Sequence, residues 1–438
     1  MNVREEIEAL VEIDGRAPGS DAERRAAEHL VGRLEALGRG ANTESVDAWP
    51  NWPATYAVHA TLAIVGSVVS VKIPILGAAL VLLATVLTFL DANGIAFTTR
   101  KLLGRRASQN VISRERGDKG GVLVLVAHYD AGRGGLAFNR KLHERRAALS
   151  KSIKRPIGPL QPLFYAMVFV LVFTLIRLLG IDSVIITALQ FIGTVALIVA
   201  LPFLVDTALA DTVPGANDNA SGVSTVLRLA ERYGGELEFF DVHVLFTGSE
   251  EAFALGMRSF LKRHKQDLDP ERTVFINLDE VGAGTVRFTK KEGLLSPLAS
   301  HSQLVQFCDE IVEAREDEEQ DDEDEEDDEP GKLPEDDDEE EQDSAEQVGV
   351  RGYVSRTVSD GYAARSAGYP AITITCKGRL DYTASHHQHG DVAERIDDEA
   401  LERAYAFSCE LIEKLDQTVG PDLEKPVEGT MLKEEDED

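Results

Sequence analysis

The chain has 438 residues and 43% hydrophobic content, enough for one large or two ordinary domains around a substantial core. Its formal net charge of −31 repels phosphate backbones, which argues against nucleic acid as a partner. Acidity spread over a whole surface is also an adaptation to concentrated salt, where counterions screen self-repulsion, so a halophilic microbial source is expected.

Residues 1–56 read as the opening part of a soluble domain. Ser20-x-x-Glu23 has the form of a capping box, Ala27, Leu30, Val31, Leu34 and Leu37 follow at helical spacing, and Gly38 ends the run. The first residues, MNVREEIEAL, lack the charged-then-apolar order of a signal peptide, so membrane insertion is expected only from internal segments.

Such segments follow. Residues 57–90 are almost wholly apolar, broken only near Lys72 and Pro74, and read as a transmembrane helical hairpin. Trp49, Trp52 and Tyr56 stand before it, where interfacial aromatics belong. A second hairpin is expected over 161–205, turning at Gly180-Ile-Asp-Ser183. Each hairpin returns to the side it left, so 1–56, 91–160 and 206–438 lie on one face and can form one domain. Arg100, Lys101, Arg105 and Arg106 follow the first hairpin, and Lys151, Lys154 and Arg155 precede the second. The excess of Lys and Arg on that side puts the domain in the cytoplasm of a multi-pass membrane protein.

Between the hairpins, Gly121-Val-Leu-Val-Leu-Val-Ala127 is a continuous apolar run, the pattern of a strand buried on both faces, and ends at His128-Tyr-Asp130. After the second hairpin the loop Thr212 to Gly222 opens a helix and carries Asp218. A strand over 239–246 ends at Thr247-Gly-Ser-Glu-Glu251, and another over 273–278 ends at Asp279. Strand and helix alternate, which predicts an α/β fold with a mostly parallel central sheet between helical layers. Residues 313–346 are too acidic to pack and read as a disordered insertion. The domain resumes over 347–415 with a histidine-rich loop, Ser385-His-His-Gln-His-Gly-Asp391, and 416–438 form a charged tail. Cys308, Cys376 and Cys409 are too few and too scattered for a disulfide framework and read as reduced, buried thiols.

An Asp before a helix is commonly a cap, and a lone His128 or His387 has ordinary structural roles. Here, however, three strand runs each end in a potential metal ligand: His128, the pair Glu250–Glu251, and Asp279. Ligand sites in open α/β sheets gather at those strand ends. Hard carboxylates mixed with imidazoles suit zinc or a similar divalent ion, and Asp218 is placed to bridge two of them.

His128-x-Asp130, Gly215-Ala-Asn-Asp-Asn-Ala-Ser-Gly222, Gly248-Ser-Glu-Glu251, Asn277-Leu-Asp279 and His387-x-x-x-Asp391 with Ile396-Asp397 together resemble a superfamily of zinc aminopeptidases, the family twenty-eight metallopeptidases. That superfamily includes bacterial leucyl aminopeptidases, glutamate carboxypeptidase and glutaminyl cyclase. The resemblance implies a three-layer sandwich interrupted by the two hairpins, and two divalent metal ions, with zinc expected. One ion would be held by His128, Asp218 and Glu251, the other by Asp218, Asp279 and His387. Glu250 would be the general base, taking a proton from a metal-bridging water, and Asp130 would orient the His128 ring. His387 is preferred to its neighbours His386 and His389 because its spacing to Asp391 fits the family pattern. One departure is Gly361 after Ser359-Asp360, where the family often has His. The implied activity is exopeptidase, most simply an aminopeptidase acting on peptides. A carboxypeptidase or glutaminyl cyclase uses nearly the same ligands, and a non-catalytic membrane scaffold would show gaps at them.

Overall fold

The computed structural model describes residues 2–327, 349–378, 381–383 and 385–423. The chain opens with α1 (Val3–Glu12), α2 (Asp21–Ala36) and β1 (Ala41–Ala48). Helices α3 (Trp52–Ser70) and α4 (Pro74–Ala92), a short α5 (Thr98–Leu102), and strands β2 (Arg106–Ser113) and β3 (Gly121–His128) come next. Then follow α6 (Arg140–Ser152), α7 (Gln161–Leu178), α8 (Val184–Leu209), α9 (Ser221–Tyr233), β4 (Phe240–Thr247) and α10 (Leu255–Arg263). The remainder is β5 (Thr273–Leu278), β6 (Thr285–Glu292), β7 (Leu298–Ala299), α11 (Ser302–Asp327), β8 (Arg351–Val354), α12 (Asp360–Ser366), β9 (Ala371–Lys377) and α13 (Asp398–Thr418).

The strands form one sheet in the order β1-β2-β4-β3-β5-β9-β6-β7, with β8 beside β6. Its centre, β4-β3-β5-β9, is parallel, while β1, β2, β6 and β7 join antiparallel. The period of two is legible in β3. Leu123, Leu125 and Ala127 point into a core shared with α1, α2, α9, α11 and α13. Val124 and Val126 point into the opposite core, against α10 and α12. Helices thus cover both faces, and the apolar run at 121–127 is what a doubly covered strand requires.

Helix α2 begins where the capping box places it, with the Ser20 hydroxyl accepting from the Glu23 amide at 3.0 Å. The Glu23 carboxylate takes the amide of Gly19 at 2.7 Å rather than that of Ser20. Its other oxygen is committed elsewhere, as described below. The three cysteines are free and buried.

Among the described residues, four helices are long and apolar enough to cross a membrane: Trp52–Ser70, Pro74–Ala92, Gln161–Leu178 and Val184–Leu209. They pack together about Ala60, Val81, Met167 and Leu197, and leave large apolar side chains such as Val68, Ile75, Ile185 and Phe191 facing outward. Polar contacts join α3 to α8, with Ser67 and Thr194 hydroxyls 2.6 Å apart and the Gln190 amide on the Ser67 carbonyl at 2.8 Å. Helix α3 starts before the expected 57 because Pro53 sits in its first turn, where a missing N–H costs nothing, and α4 and α8 end at Ala92 and Leu209, past the expected 90 and 205. Sequence periodicity predicted no helix over α6, whose face is mostly charged.

Helix α11 also differs from expectation. It continues to Asp327, so the first part of the acidic tract is helical backbone, consistent with the high helix propensity of Glu. The remainder of that tract, 328–346, and the tail from 424 lie outside the described residues.

Candidate active site

The parallel pairing of β4, β3 and β5 sets their carboxyl ends side by side. His128 is the last residue of β3, Glu250 and Glu251 follow β4 in a single 3-10 turn, and Asp279 follows β5. Asp218 enters from the loop before α9, and His386 and His387 from the loop before α13. All seven side chains meet at one end of the sheet.

Asp218 is not a helix cap; α9 begins three residues later. Its carboxylate is the shared vertex of two ligand groups, His128–Asp218–Asp279 and Asp218–His386–His387, each with its atoms within 4.8 Å of one another. Asp218 Oδ1 lies 3.3 Å from His128 Nε2, and its Oδ2 lies 3.2 Å from His386 Nδ1 and 3.5 Å from His387 Nε2. Asp279 is 3.5 Å from His128 Nε2, whereas Glu251 is 2.9 Å from His387 Nε2. In the structure His128 lies beside Asp279 and Glu251 beside His387, whereas the resemblance implies His128 with Glu251 and Asp279 with His387. Adjacent strands explain it, since β3 and β5 are direct neighbours and the 3-10 turn carries Glu251 toward the histidine loop.

Asp130, expected to orient the His128 ring, meets it mainly through its main chain. The His128 Nδ1–H donates to the Asp130 backbone carbonyl at 3.1 Å, while the Asp130 carboxylate is 3.6 Å away. That carboxylate instead accepts from the amides of Glu250 and Glu251, at 3.0 and 3.1 Å. Asp130 thus fixes the His128 tautomer through its main chain and the glutamate turn through its side chain.

The loop before α9 is held by its neighbours. Asp391 accepts from the amides of Asn217 and Asp218 at 2.9 and 3.0 Å. Asn219 spans to β5, donating to the Leu278 carbonyl at 2.9 Å and accepting from the Glu280 amide at 3.1 Å. Asn217 Oδ1 accepts from the Gly282 amide at 2.7 Å. Gly222 leaves room for this, since a Cβ there would lie 2.4 Å from the Leu278 carbonyl oxygen. Two buried N-terminal residues complete the frame. The Arg16 guanidinium donates to the carbonyls of Tyr129, Pro214 and Gly215 at 3.0, 3.0 and 3.1 Å, tying the loops of Asp130 and Asp218 together. The second Glu23 oxygen accepts from the Ser249 amide at 2.9 Å and the Ser108 hydroxyl at 2.8 Å.

Burial pushes the Glu23 carboxyl up to about 8, with the Asp130 charge adding to it. A carboxyl raised from 4.5 binds more protons folded than unfolded, so its stabilising contribution is complete below pH 4.5 and is lost as pH rises through 8. Relative to Glu23→Gln, the wild-type protein should therefore lose unfolding free energy steadily between those values. Denaturant titrations across that range check the slope, and parallel curves would contradict it.

Within the cluster, burial opposes charge on His128, yet the neighbouring carboxylates of Glu250, Asp130, Asp218 and Asp279 hold it well above the ordinary histidine value. Burial also works against charge on Asp218, but His128 and His386 keep it well below the usual carboxylate range. Burial drives Glu250 well above the ordinary range, and although His128 opposes this, Asp360, Glu251 and Asp279 reinforce it. A carboxyl with a raised pKa beside ionised ones is the division of labour expected of a proton shuttle.

Glu280 was not singled out in the sequence. It accepts from Lys377, from His386 Nδ1 at 2.9 Å and from the Thr383 hydroxyl at 2.9 Å. Burial would raise Glu280, but Lys377 and His386 bring it down to about 2. Its position after a strand-end Asp was the available signal.

The donor set fits divalent metal. Asp218 Oδ2 is buried and makes no hydrogen bond among the described residues, although two imidazoles stand within 3.5 Å of it. Such donors converge on shared points rather than on one another. Gly132 keeps one of these points open: a Cβ there would lie 2.5 Å from His387 Nε2 and 2.6 Å from Glu251 Oε1. Gly132→Ala should lower zinc affinity at least about tenfold, the scale of a disturbed ligand shell, with little change in the Tm of the metal-free protein. Zinc titration against a competing chelator reads the first quantity and thermal unfolding the second.

A cavity of about 140 Å³ opens onto the cluster. One side is apolar, made by Trp52, Phe138, Leu160, Phe253, Leu294 and Val358. Trp52 and Leu160 stand at the entries of α3 and α7, so the apolar helices contribute to its wall. The Trp52 and Phe253 rings meet edge to face at 5.8 Å.

Residues 204–412 match the model of peptidase family M28. The fold is that of a zinc aminopeptidase from Bacillus subtilis, at a TM-score of 0.50 and 13% identity over 94% of each chain. The chain is also similar to a Zn-dependent exopeptidase from Parabacteroides distasonis, at TM-score 0.48 and 14% identity over 95% of this chain and 97% of that one. A glutaminyl cyclase from Bacteroides thetaiotaomicron is similar at TM-score 0.49 and 14% identity, over 94% of this chain and 96% of that one. None of the curated proteins matches the chain. The departure from the M28 pattern at Gly361 has a local cause: a Cβ there would lie 2.3 Å from Thr373 Oγ1. The preceding Asp360 accepts from the Thr247 hydroxyl and is pushed by burial up to about 7.

Proposed function

We propose that this protein is a membrane-embedded, two-metal exopeptidase that removes N-terminal residues from peptides. The observation that carries the reading is the position of Asp218, whose two carboxylate oxygens face two different ligand groups with Glu250 beside them. His128, Asp218 and Asp279 would hold one ion, and Asp218, Glu251 and His387 the other, with zinc favoured by the mixed carboxylate and imidazole donors. When bound, the metals polarise the scissile carbonyl and make water acidic enough to be deprotonated near neutrality.

The chain's own residues supply the rest. Glu250 accepts a proton from the attacking water and passes it to the leaving amine, a role suited to a buried carboxyl with a raised pKa. The Asp130 carboxylate keeps Glu250 and Glu251 on their respective sides of the site. The Nδ1–H bond of His128 leaves its Nε2 free to act as a ligand. The wall of Trp52, Phe253 and Leu294 excludes water and suits an apolar side chain at the cleaved N-terminal residue. The four apolar helices would span the cell membrane as two hairpins, and Arg100, Lys101, Lys151 and Lys154 favour a cytoplasmic site.

Metal content and hydrolysis of a peptide panel, each peptide with a free or an acetylated amine, test the reading. About two zinc ions per chain and cleavage of the free-amine peptides alone are expected. Cleavage from the opposite end would point to a carboxypeptidase, cyclisation of N-terminal glutamine to a glutaminyl cyclase, and no metal with no turnover to a scaffold.

A further inference from the structure

Beside the catalytic cavity lies a larger one of about 680 Å³. The two adjoin: Phe138, Glu280, Tyr353, Thr357, Lys377 and His386 are among the residues that line both. The larger cavity is basic, in a protein whose net charge is −31. The two acids among its described lining residues are already paired. Glu280 is held by Lys377 and His386, and Asp381 by Arg287 and Arg351 at 3.0 and 2.9 Å. By contrast Arg146, Lys151, Lys154, Arg155 and Arg356 also line it, and none of them pairs with a carboxylate among the described residues.

Two of these cations are not solvated surface charges. Arg356 buries its Nε without a hydrogen-bond partner. Arg146 is half-buried, and burial lowers its pKa with no nearby carboxylate to offset the effect. Holding uncompensated guanidinium groups in a concave wall is costly unless an anion completes them. The apolar wall at Trp52, Phe253 and Leu294 belongs to the other end of the combined cavity, where the N-terminal side chain is accommodated in the exopeptidase reading. That leaves the basic end for the part of the peptide beyond the cleaved bond.

We propose that this basic cavity binds carboxylates on the leaving portion of the substrate, so that the enzyme prefers peptides that are acidic after the cleaved bond or that end there in a free C-terminus. The inference rests on the exopeptidase reading. A membrane headgroup is disfavoured because the charges line a concavity adjoining the catalytic site. Arg146 reaches into it from α6, and Arg356 faces it from the segment after β8.

The test uses the full chain in detergent or nanodiscs and four peptides: Leu-Ala-Ala-Ala-amide, Leu-Asp-Asp-Ala-amide, Leu-Lys-Lys-Ala-amide and Leu-Ala-Ala-Ala with a free carboxylate. A charge-assisted contact gives about tenfold or more in kcat/KM for the Asp peptide over the neutral amide, and a penalty for the Lys peptide. An advantage of the free acid over its amide assigns the C-terminus as a source of the carboxylate; an advantage of the Asp peptide assigns side chains. Arg146→Gln/Arg356→Gln should abolish either advantage while leaving cleavage of the neutral amide unchanged, and Arg146→Lys/Arg356→Lys should restore part of it. Equal kcat/KM across all four peptides would overturn the inference and leave the exopeptidase reading intact. So would a double variant that alters only affinity for anionic over neutral phospholipid nanodiscs. If no peptide is cleaved, that reading fails, and binding of a fluorescent Asp peptide decides the cavity: binding lost in the double variant supports it, and no binding overturns it.

Discussion

Glu250→Gln is expected to lower kcat by about 10²–10⁴-fold, the range attributable to a positioned general base, while zinc content stays at the wild-type level. The reason is positional. Glu250 is 3.9 Å from His128 Nε2, at the margin of the cluster, whereas Asp218 is shared between its halves. Its amide is fixed by Asp130 independently of its carboxyl, so the amide side chain introduced by the substitution can sit where the carboxyl did. Asp218→Asn makes the contrast. It weakens a ligand shared by both groups and should cost zinc as well as turnover. Atomic absorption of dialysed protein beside steady-state kinetics separates the two variants. Zinc loss in Glu250→Gln would move Glu250 from base to ligand, and unchanged kcat would remove it from the chemistry.

That the candidate side chains meet at one rim was legible in the sequence for a topological reason. Each of His128, Glu251 and Asp279 follows a strand made almost wholly of buried β-branched or bulky apolar residues, and parallel strands deliver their ends to one rim. How those ligands pair was not legible, because it depends on strand order. β3 sits between β4 and β5, and nothing local to 121–128, 240–247 or 273–278 reveals which end residues turn toward each other. The frame behind the site was equally hidden. Glu23 reads as a capping-box residue, yet one of its oxygens serves the helix and the other serves the loop before Glu250. Arg16 shows no periodicity and lies on no predicted element, but its four carbonyl partners come from three separate segments. Long-range polar contacts of this kind leave no pattern in a single sequence, whereas binary patterning leaves one at every turn of α2 or α9.

The second large effect concerns the joint between the apolar helices and the catalytic turn. In sequence the hairpins look like insertions that could be removed, but a buried ion pair connects the first of them to the site. Arg100 is 1% exposed and pairs with Asp91 of α4 at 2.6 Å. The Tyr56 hydroxyl of α3 donates to the same carboxylate at 2.8 Å. The Arg100 guanidinium also donates to the carbonyl of Ala252, the residue after Glu250-Glu251, at 3.0 Å, and covers the Phe253 ring at 4.0 Å. Removing one partner of a buried pair leaves an uncompensated charge, which costs about 3–5 kcal/mol, whereas replacing both with apolar residues of similar volume is close to neutral. Arg100→Met should therefore lower unfolding free energy by about that amount, and Asp91→Leu/Arg100→Met should recover most of it. Activity should not recover in parallel, because the double variant still lacks the donor to Ala252 and the cation against Phe253, on which the turn carrying Glu250 rests. Denaturant unfolding in detergent and kcat on a soluble peptide, measured on the same preparations, test this divergence. Recovery of both together would make the pair a stabilising contact only. Recovery of stability without turnover would mean that the first hairpin helps hold the general base in place, and that deleting it removes part of the active site.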